Sequence, residues 1–319
     1  MIADLLANLL WANVQAGLAI LAVLAARRPV RALCGAQAAY ALWLAVPLVF
    51  LASLAPAAEA EGATAALLQA HVLAPRFRLH PPQGLAAVWA AGATLSIGLL
   101  AWGQLRFLAR ARAGLAGPAV VGVITPRLVT PDDFEERYSQ AERALIRAHE
   151  RAHIERDDPK TNAAMALAQC LCWFNPLVHV AVYFARLDQE LACDATVMAT
   201  RSRQRRLYAQ TMLKTQLNGS PLPLGCHWLA GAHPLEVRIG ALAAPAVRDA
   251  RLQAGAWGAA ILAIVAAYGA WAAKPPAPPR LHFEQAIYDR TLSPGQGAGI
   301  VMIHLSATEV AGLPQPRSR

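Results

Sequence analysis

Charge is what this sequence has least of. Asp, Glu, Lys and Arg make up 15% of its 319 residues, against about 25% in a typical soluble chain. With 56% apolar residues and a mean hydropathy of +0.34, there is too little polar surface to cover a soluble globule of this length. The same figures exclude disorder, which needs low hydrophobicity and high charge. Cysteine is scarce too. Cys34, Cys170, Cys172, Cys193 and Cys226 form neither a disulfide framework nor a paired C-x-x-C metal pattern, and Cys170 and Cys172 read as small buried residues. Lysine is nearly absent: Lys160, Lys214 and Lys274 stand among 29 basic residues. The net charge of +9 suits nucleic acid or a membrane surface. No helix-turn-helix, zinc-finger or aromatic–basic RNA pattern is present, so direct nucleic-acid binding is not expected.

Long apolar runs account for the missing charge. Crossing a bilayer takes about 20 residues. Four runs qualify without a charge: Leu5 to Ala25, Ala32 to Leu54, Gly84 to Leu105 and Leu252 to Ala273. The first lacks a basic leading segment and runs into Arg27, Arg28 and Arg31 before a second apolar run, so it reads as a span and not a removable signal peptide. Pro47 is tolerable in a spanning helix. Arginines mark the loop after the first span and the segments after the third and before the fourth. The positive-inside rule therefore predicts a multi-pass protein of the cell inner membrane with the N-terminus outside. On this reading residues 1–107 hold three spans, 108–251 a cytoplasmic domain, 252–273 the fourth span and 274–319 a Pro-rich outside tail. Residues 108–251 carry 14 of the 20 acidic and 18 of the 29 basic residues. The positive charge thus marks topology and the lipid surface.

Within that block, Ala119 to Pro131 is β-branched and punctuated by Gly and Pro, as one or two short strands are. Ser139 followed by Glu142 has capping-box spacing, and the helix it opens must end near Asp158, because Pro159 follows. On this helix lies His149-Glu150-Arg151-Ala152-His153. Residues four apart share a face. Two neutral imidazoles there can bind one Zn²⁺, and Glu150 can take a proton from a water that the metal acidifies to a pKa of roughly 7. A zinc hydrolase needs a third protein ligand. Asn175-Pro176 has the form of an N-cap with Pro at the first helical position, and the helix it opens runs to about Thr200. Glu190 on it can supply the third ligand. Asp194, on the same face, can orient a ligand His from behind.

These residues resemble the BlaR/MecR-type membrane zinc metallopeptidases, the sensor–transducers of β-lactam resistance and their relatives. The resemblance rests on three N-terminal spans, the strand segment and His149-Glu150-x-x-His153 followed by Arg156, Asp157 and Asp158. Further on come Trp173-Phe174-Asn175-Pro176, the run Arg186 to Asp194, Arg206-Leu207-Tyr208-Ala209 and Arg238-Ile239. It implies a mainly α integral membrane protein with a gluzincin-like α+β zinc domain. His149, His153 and Glu190 would hold Zn²⁺, Glu150 would be the general base and Asp194 would support a ligand from behind. The strand near Val120–Ile124 would align substrate backbone by β-addition. Family members cleave themselves and, directly or indirectly, a cytoplasmic repressor after an external signal. The implied partners are the bilayer and a protein substrate such as a repressor; a homodimer is compatible. The antibiotic sensors carry a penicillin-binding domain with S-x-x-K. Here Lys274 has Trp271 three residues before it, so acylation by β-lactams is not expected. The tail offers a stiff linker and two short candidate strands, Arg280–Phe283 and Gly299–Leu305.

Some features admit two readings. The run 163–185 is apolar except at Asn, Gln and His positions. As a fifth span it would separate His149 from Glu190 unless the Asn175-Pro176 break turns the chain back; two helices packed on the spans or at the interface are preferred. His179 reads as a core histidine, and Tyr208 as packing rather than an oxyanion stabiliser. Arg201 to Arg206 reads as a lipid-facing basic patch, with an exposed self-cleavage site as the alternative. His227, His233, His282 and His304 lack ligand-like spacing. The function expected is a membrane zinc endopeptidase that transduces a signal by cytoplasmic proteolysis. The alternatives are a quality-control metalloprotease of the heat-shock type and a non-proteolytic signalling scaffold. A transporter is disfavoured, since no charge pairs fall inside the apolar runs.

Overall fold

In the computed structural model, residues 2–56, 84–218, 234–244 and 247–274 are described. The expectations on the tail, on the loop carrying Arg76 and Arg78, and on His227, His233, His282 and His304 lie outside them. The described part is helical apart from one two-stranded sheet.

Helix α1 (Ile2–Cys34) does not stop at the arginines. It continues through Pro29 and ends at Gly35. That corrects the loop expected at Arg27–Arg31, and the cause is local. Gly35 has φ 91° and a Cβ there would stand 2.5 Å from Leu252 Cδ2, so the chain turns where only glycine can turn. The second span is α2 (Ala36–Ala41), a 3₁₀ turn (Leu42–Leu44) and α3 (Ala45–Leu54). Pro47 cannot donate to the carbonyl four residues back, at Trp43, and the 3₁₀ turn lies over that gap. Helix α4 (Gly84–Arg112) is the third long apolar helix and α11 (Asp249–Ala272) the fourth. Among the described residues, four helical segments are by length and composition able to cross a membrane: Leu6–Cys34, Ala36–Leu54, Gly84–Arg112 and Asp249–Ala272.

Strands β1 (Ala119–Val121) and β2 (Arg127–Val129) pair antiparallel, with Val120 opposite Leu128. The strand expected to reach Ile124 stops at Val121. Gly122, at φ 101°, turns the chain, and Ile124 is 89% exposed in the turn. After the short α5 (Phe134–Arg137) come α6 (Gln140–Glu155), α7 (Asp158–Leu171), α8 (Pro176–Arg201), a 3₁₀ turn at Ser202–Gln204, α9 (Arg205–Asn218) and α10 (Pro234–Leu242). The Arg201–Arg206 run is therefore the bend between α8 and α9.

The run 163–185 is not one helix. Helix α7 ends at Leu171, and α8 starts at Pro176 with the Asn175 side chain accepting from the Leu177 N–H at 3.0 Å. The tip of this hairpin is pinned to the span helices. Asn175 Nδ2 donates to Asn13 Oδ1 of α1 at 3.1 Å, and Trp89 Nε1 of α4 donates to the Leu171 carbonyl at 2.8 Å. Trp173 lies where a Cβ on Gly92 would be, 2.1 Å from its ring, so only glycine admits it. His179 closes the hairpin, with one ring nitrogen 3.2 Å from Gln169 Nε2 and the other 3.1 Å from the Trp173 carbonyl. Two cores result. One joins Ile20, Trp43, Val178, Ala181 and Ala263 from spans and hairpin. The other joins Leu145, Val197, Met198, Tyr208, Met212 and Leu242. Helix α8 belongs to both, its first half among the spans and its second half beside α6, α9 and α10.

Candidate metal centre

Helix α6 is started by a full capping box. Ser139 Oγ accepts the Glu142 N–H at 3.3 Å, and Glu142 Oε2 accepts the Ser139 N–H at 2.8 Å. It is stopped by a short link to α7, in which Asp157 takes φ 58°. Asp is one of the few residues that tolerate this left-handed conformation at a helix end. The link brings Asp158, at the start of α7, back beneath His153.

The expected ligands converge. His149 Nε2 is 3.1 Å from His153 Nε2 and 3.2 Å from Glu190 Oε2, and His153 Nε2 is 3.6 Å from Glu190 Oε1. The rings meet edge to face, with centroids 4.7 Å apart. The side chains of His149 and His153 are 13% and 11% exposed, while Glu190 is 32% exposed, so the cluster opens on the glutamate side. Glu150 lies close enough to feel the charges of His149, His153, Glu190 and Arg238.

Behind the cluster each histidine has its own support. Tyr208 Oη is 2.8 Å from His149 Nδ1 and donates to Asp194 Oδ1 at 2.7 Å. A hydroxyl that gives its proton to Asp194 accepts the Nδ1–H of His149. Asp194 itself is 3.4 Å from that nitrogen, so it supports His149 mainly through Tyr208. Arg238 donates to both Asp194 oxygens at 2.8 Å and stands 2.9 Å from Glu190 Oε2. His153 Nδ1 meets Asp158 Oδ2 at 2.7 Å, and Cys193 Sγ lies 3.2 Å from the same nitrogen. Arg156 reaches Cys193 Sγ at 3.2 Å and the Gln189 carbonyl at 3.3 Å.

These partners decide whether the cluster suits a metal. With both Nδ1 atoms committed as donors, both Nε2 atoms point lone pairs at each other over 3.1 Å. That is repulsive unless a proton or a cation lies between them. Two imidazoles and a carboxylate, each held from behind, are a donor set that suits zinc. The charges agree. Burial alone would lower the pKa of His153, but the Glu190 charge and the Asp158 hydrogen bond outweigh it and push it up to about 11. Burial would raise Glu190, yet Arg238 and the two histidines hold it well below the usual carboxylate range. Burial pushes Glu150 up, opposed by both histidines. Burial also raises the Tyr208 hydroxyl, and Asp194 raises it further.

Sequence reading missed four of these groups. Asp158 stood as a helix stop and in the run after His153, with no role beside the histidine. Tyr208 reads as packing, and the structure adds a second role to that one. Its ring does pack in the core, but its hydroxyl joins His149 to Asp194. Arg238 had no assigned role, and Cys193 none beside His153. Asp158 had a local signal, five residues after His153 across a short link. Arg238 and Tyr208 come from separate helices, and only the tertiary fold brings them in.

Comparison with known proteins places this segment. Residues 108–242 match the family described as BlaR1 peptidase M56. The regulatory protein BlaR1 of Bacillus licheniformis is 32% identical over 101 residues, which is 31% of this chain and 17% of that protein. The methicillin resistance mecR1 protein of Staphylococcus aureus (strain Mu50 / ATCC 700699) is 24% identical over 106 residues, 33% of this chain and 18% of that protein. The chain thus spans less than a fifth of the length of the curated relatives it matches. No solved structure matches it significantly.

Proposed function

We propose that the chain is a membrane zinc endopeptidase of gluzincin type that transduces a signal by proteolysis at the cytoplasmic face, a reading supported by the match of residues 108–242 to the BlaR1 peptidase M56 family. The observation that carries this reading is the convergence of His149, His153 and Glu190, whose donor atoms all lie within 4.8 Å of one another, beside Glu150. His149, His153 and Glu190 would hold the metal, which when bound would supply Lewis-acid chemistry for a carbonyl and a water. Glu150 takes the proton of the attacking water and delivers it to the leaving amine. Burial suits it to this work, because a carboxyl raised toward neutral pH both accepts and returns a proton readily. Tyr208 and Asp158 fix the tautomers of the two histidines, and Arg238 keeps Glu190 ionised. The substrates in view are the chain itself and a cytoplasmic repressor, with the N-terminus and tail outside.

Glu150→Gln tests the mechanism. Zinc should remain stoichiometric in the purified variant, and proteolysis should fall by at least about 100-fold, the usual scale for a lost general base. Retained cleavage would remove the mechanism, and absence of zinc from the wild-type protein would favour a scaffold. The same variant used as a substrate trap in its native membrane separates a dedicated repressor peptidase from a quality-control enzyme, which would capture many membrane proteins.

A further inference from the structure

The metal cluster and the span bundle share helix α8, and one buried cluster lies where they meet. Asp188 is fully buried and stands two residues before Glu190. Arg27 Nε and Nη2 donate to its two oxygens at 2.7 Å each, and Trp43 Nε1 donates to Oδ2 at 2.9 Å. Arg31 approaches Oδ1 at 3.5 Å. Arg27 also lies over the Phe184 ring, one turn back on α8, with 4.6 Å to its centroid. All three donors belong to the first two span segments, and Arg27 is only 3% exposed. A charge so deeply placed does no work at the lipid surface.

A guanidinium fork accepts a carboxylate only in its own plane. A bidentate clamp on Asp188, with an indole donor from a second direction, therefore fixes both the rotation of α8 and its height along the bundle. Two residues on, about 200° around the helix, Glu190 leaves the opposite side toward α6. We propose that Asp188 is a positioning residue: held by Arg27 and Trp43, it sets the rotation of α8 at which Glu190 meets His149 and His153. The zinc site is thus registered against α1 and the 3₁₀ turn of the second span, and a shift between those segments reaches Glu190 through one rigid helix. The inference rests on the zinc-peptidase reading above.

The test uses the full chain in detergent or nanodiscs. Asp188→Asn alone would strand the Arg27 charge in an apolar site and threaten folding. The first variant is therefore the pair Arg27→Met with Asp188→Leu, which removes both charges at similar volume. The second is Trp43→Phe, which removes one hydrogen bond. Zinc affinity is read by titration with Zn²⁺ alone. The spacing of α6 and α8 is read in metal-free protein from spin labels at positions 151 and 199. The paired variant should bind zinc about 10–100-fold more weakly, the scale for groups that orient ligands, and Trp43→Phe roughly fivefold more weakly. The label distances should broaden in both at unchanged helix content. Wild-type affinity and a wild-type distance distribution in the two variants would overturn the proposal. If the wild-type chain binds no zinc, the functional reading fails, and the metal-free distances still decide this one.

Discussion

His149 and His153 lie one turn apart on α6, yet opposite halves of the molecule hold them. His149 is held from the distal core. Tyr208 on α9, Asp194 on α8 and Arg238 on α10 form one hydrogen-bonded set around it. His153 is held on the bundle side. Its Asp158 opens α7, the outgoing arm of the hairpin among the spans, and Tyr40 of α2 stands 3.4 Å from the other oxygen of Asp158. Gln189 donates to the Tyr40 hydroxyl at 2.9 Å, and the Arg156 guanidinium lies 4.7 Å from the centre of the Tyr40 ring. The distal set is dense and rich in charge. The bundle-side set is thinner and reaches into the first span hairpin. One histidine is therefore braced by the distal core, and the other by contacts shared with the first two span segments.

The most direct way to break this contrast is to remove the distal cation. Arg238 is 9% exposed and Asp194 2% exposed. Arg238→Met leaves Asp194 buried without its cation and frees one side of Glu190. Breaking a buried pair from one side costs about 3–5 kcal/mol. We expect a loss of that size by denaturant unfolding in mixed micelles. A loss below about 1 kcal/mol would mean that the distal set is not the stiffer half.

A smaller and sharper comparison sets Asp158→Asn against Asp194→Asn. Asp158 touches its histidine directly at 2.7 Å. Asp194 is 3.4 Å from His149 Nδ1, with the Tyr208 hydroxyl nearer at 2.8 Å. Loss of a carboxylate that orients a ligand costs roughly 10–100-fold in metal affinity, or about 1.4–2.8 kcal/mol. Asp158→Asn should lose that much zinc affinity, and Asp194→Asn markedly less, because Tyr208 still accepts from His149. Equal losses in competitive chelator titrations would show that Tyr208 only transmits the Asp194 charge.

Residue spacing made one half of the centre legible and hid the other. The capping box, the His149–His153 turn, the Asn175 cap and the placement of Glu190 on α8 all follow from local rules, and each is in the structure at the expected residues. The partners of the histidines follow no local rule except for Asp158. Tyr208 and Arg238 lie on other helices, Tyr40 and Trp43 lie in an apolar run that reads as a span, and Arg27 lies in what reads as the loop before it. Arg27 shows the difficulty best. An arginine after an apolar run marks the cytoplasmic end of a span by charge alone. Its burial against Asp188 becomes visible only once α1 is seen to continue to Gly35. The hairpin is a similar case: Asn175-Pro176 signals a break, but what the tip rests on depends on Asn13 and Gly92, unremarkable residues in the spans.

The smallest expected effect lies at the end of α6 farthest from either support. Glu142 closes the capping box and pairs with Lys214 of α9 at 3.1 Å. Glu142→Ala should cost about 1 kcal/mol and leave zinc affinity unchanged, since neither histidine's outer partner is touched. Burial would raise the pKa of Glu142, but the Ser139 N–H and Lys214 outweigh it and hold the carboxyl below its ordinary value. A lowered folded pKa gives stability that is complete above the unfolded value of about 4.3 and is lost as pH falls through the folded one. In metal-free protein the deficit of Glu142→Ala should therefore be full at about pH 6 and shrink toward about pH 3. A deficit that persists in acid would assign the stabilisation to packing of the side chain. A fall in zinc affinity would show that the start of α6, and not only the two flanking sets, positions the histidines.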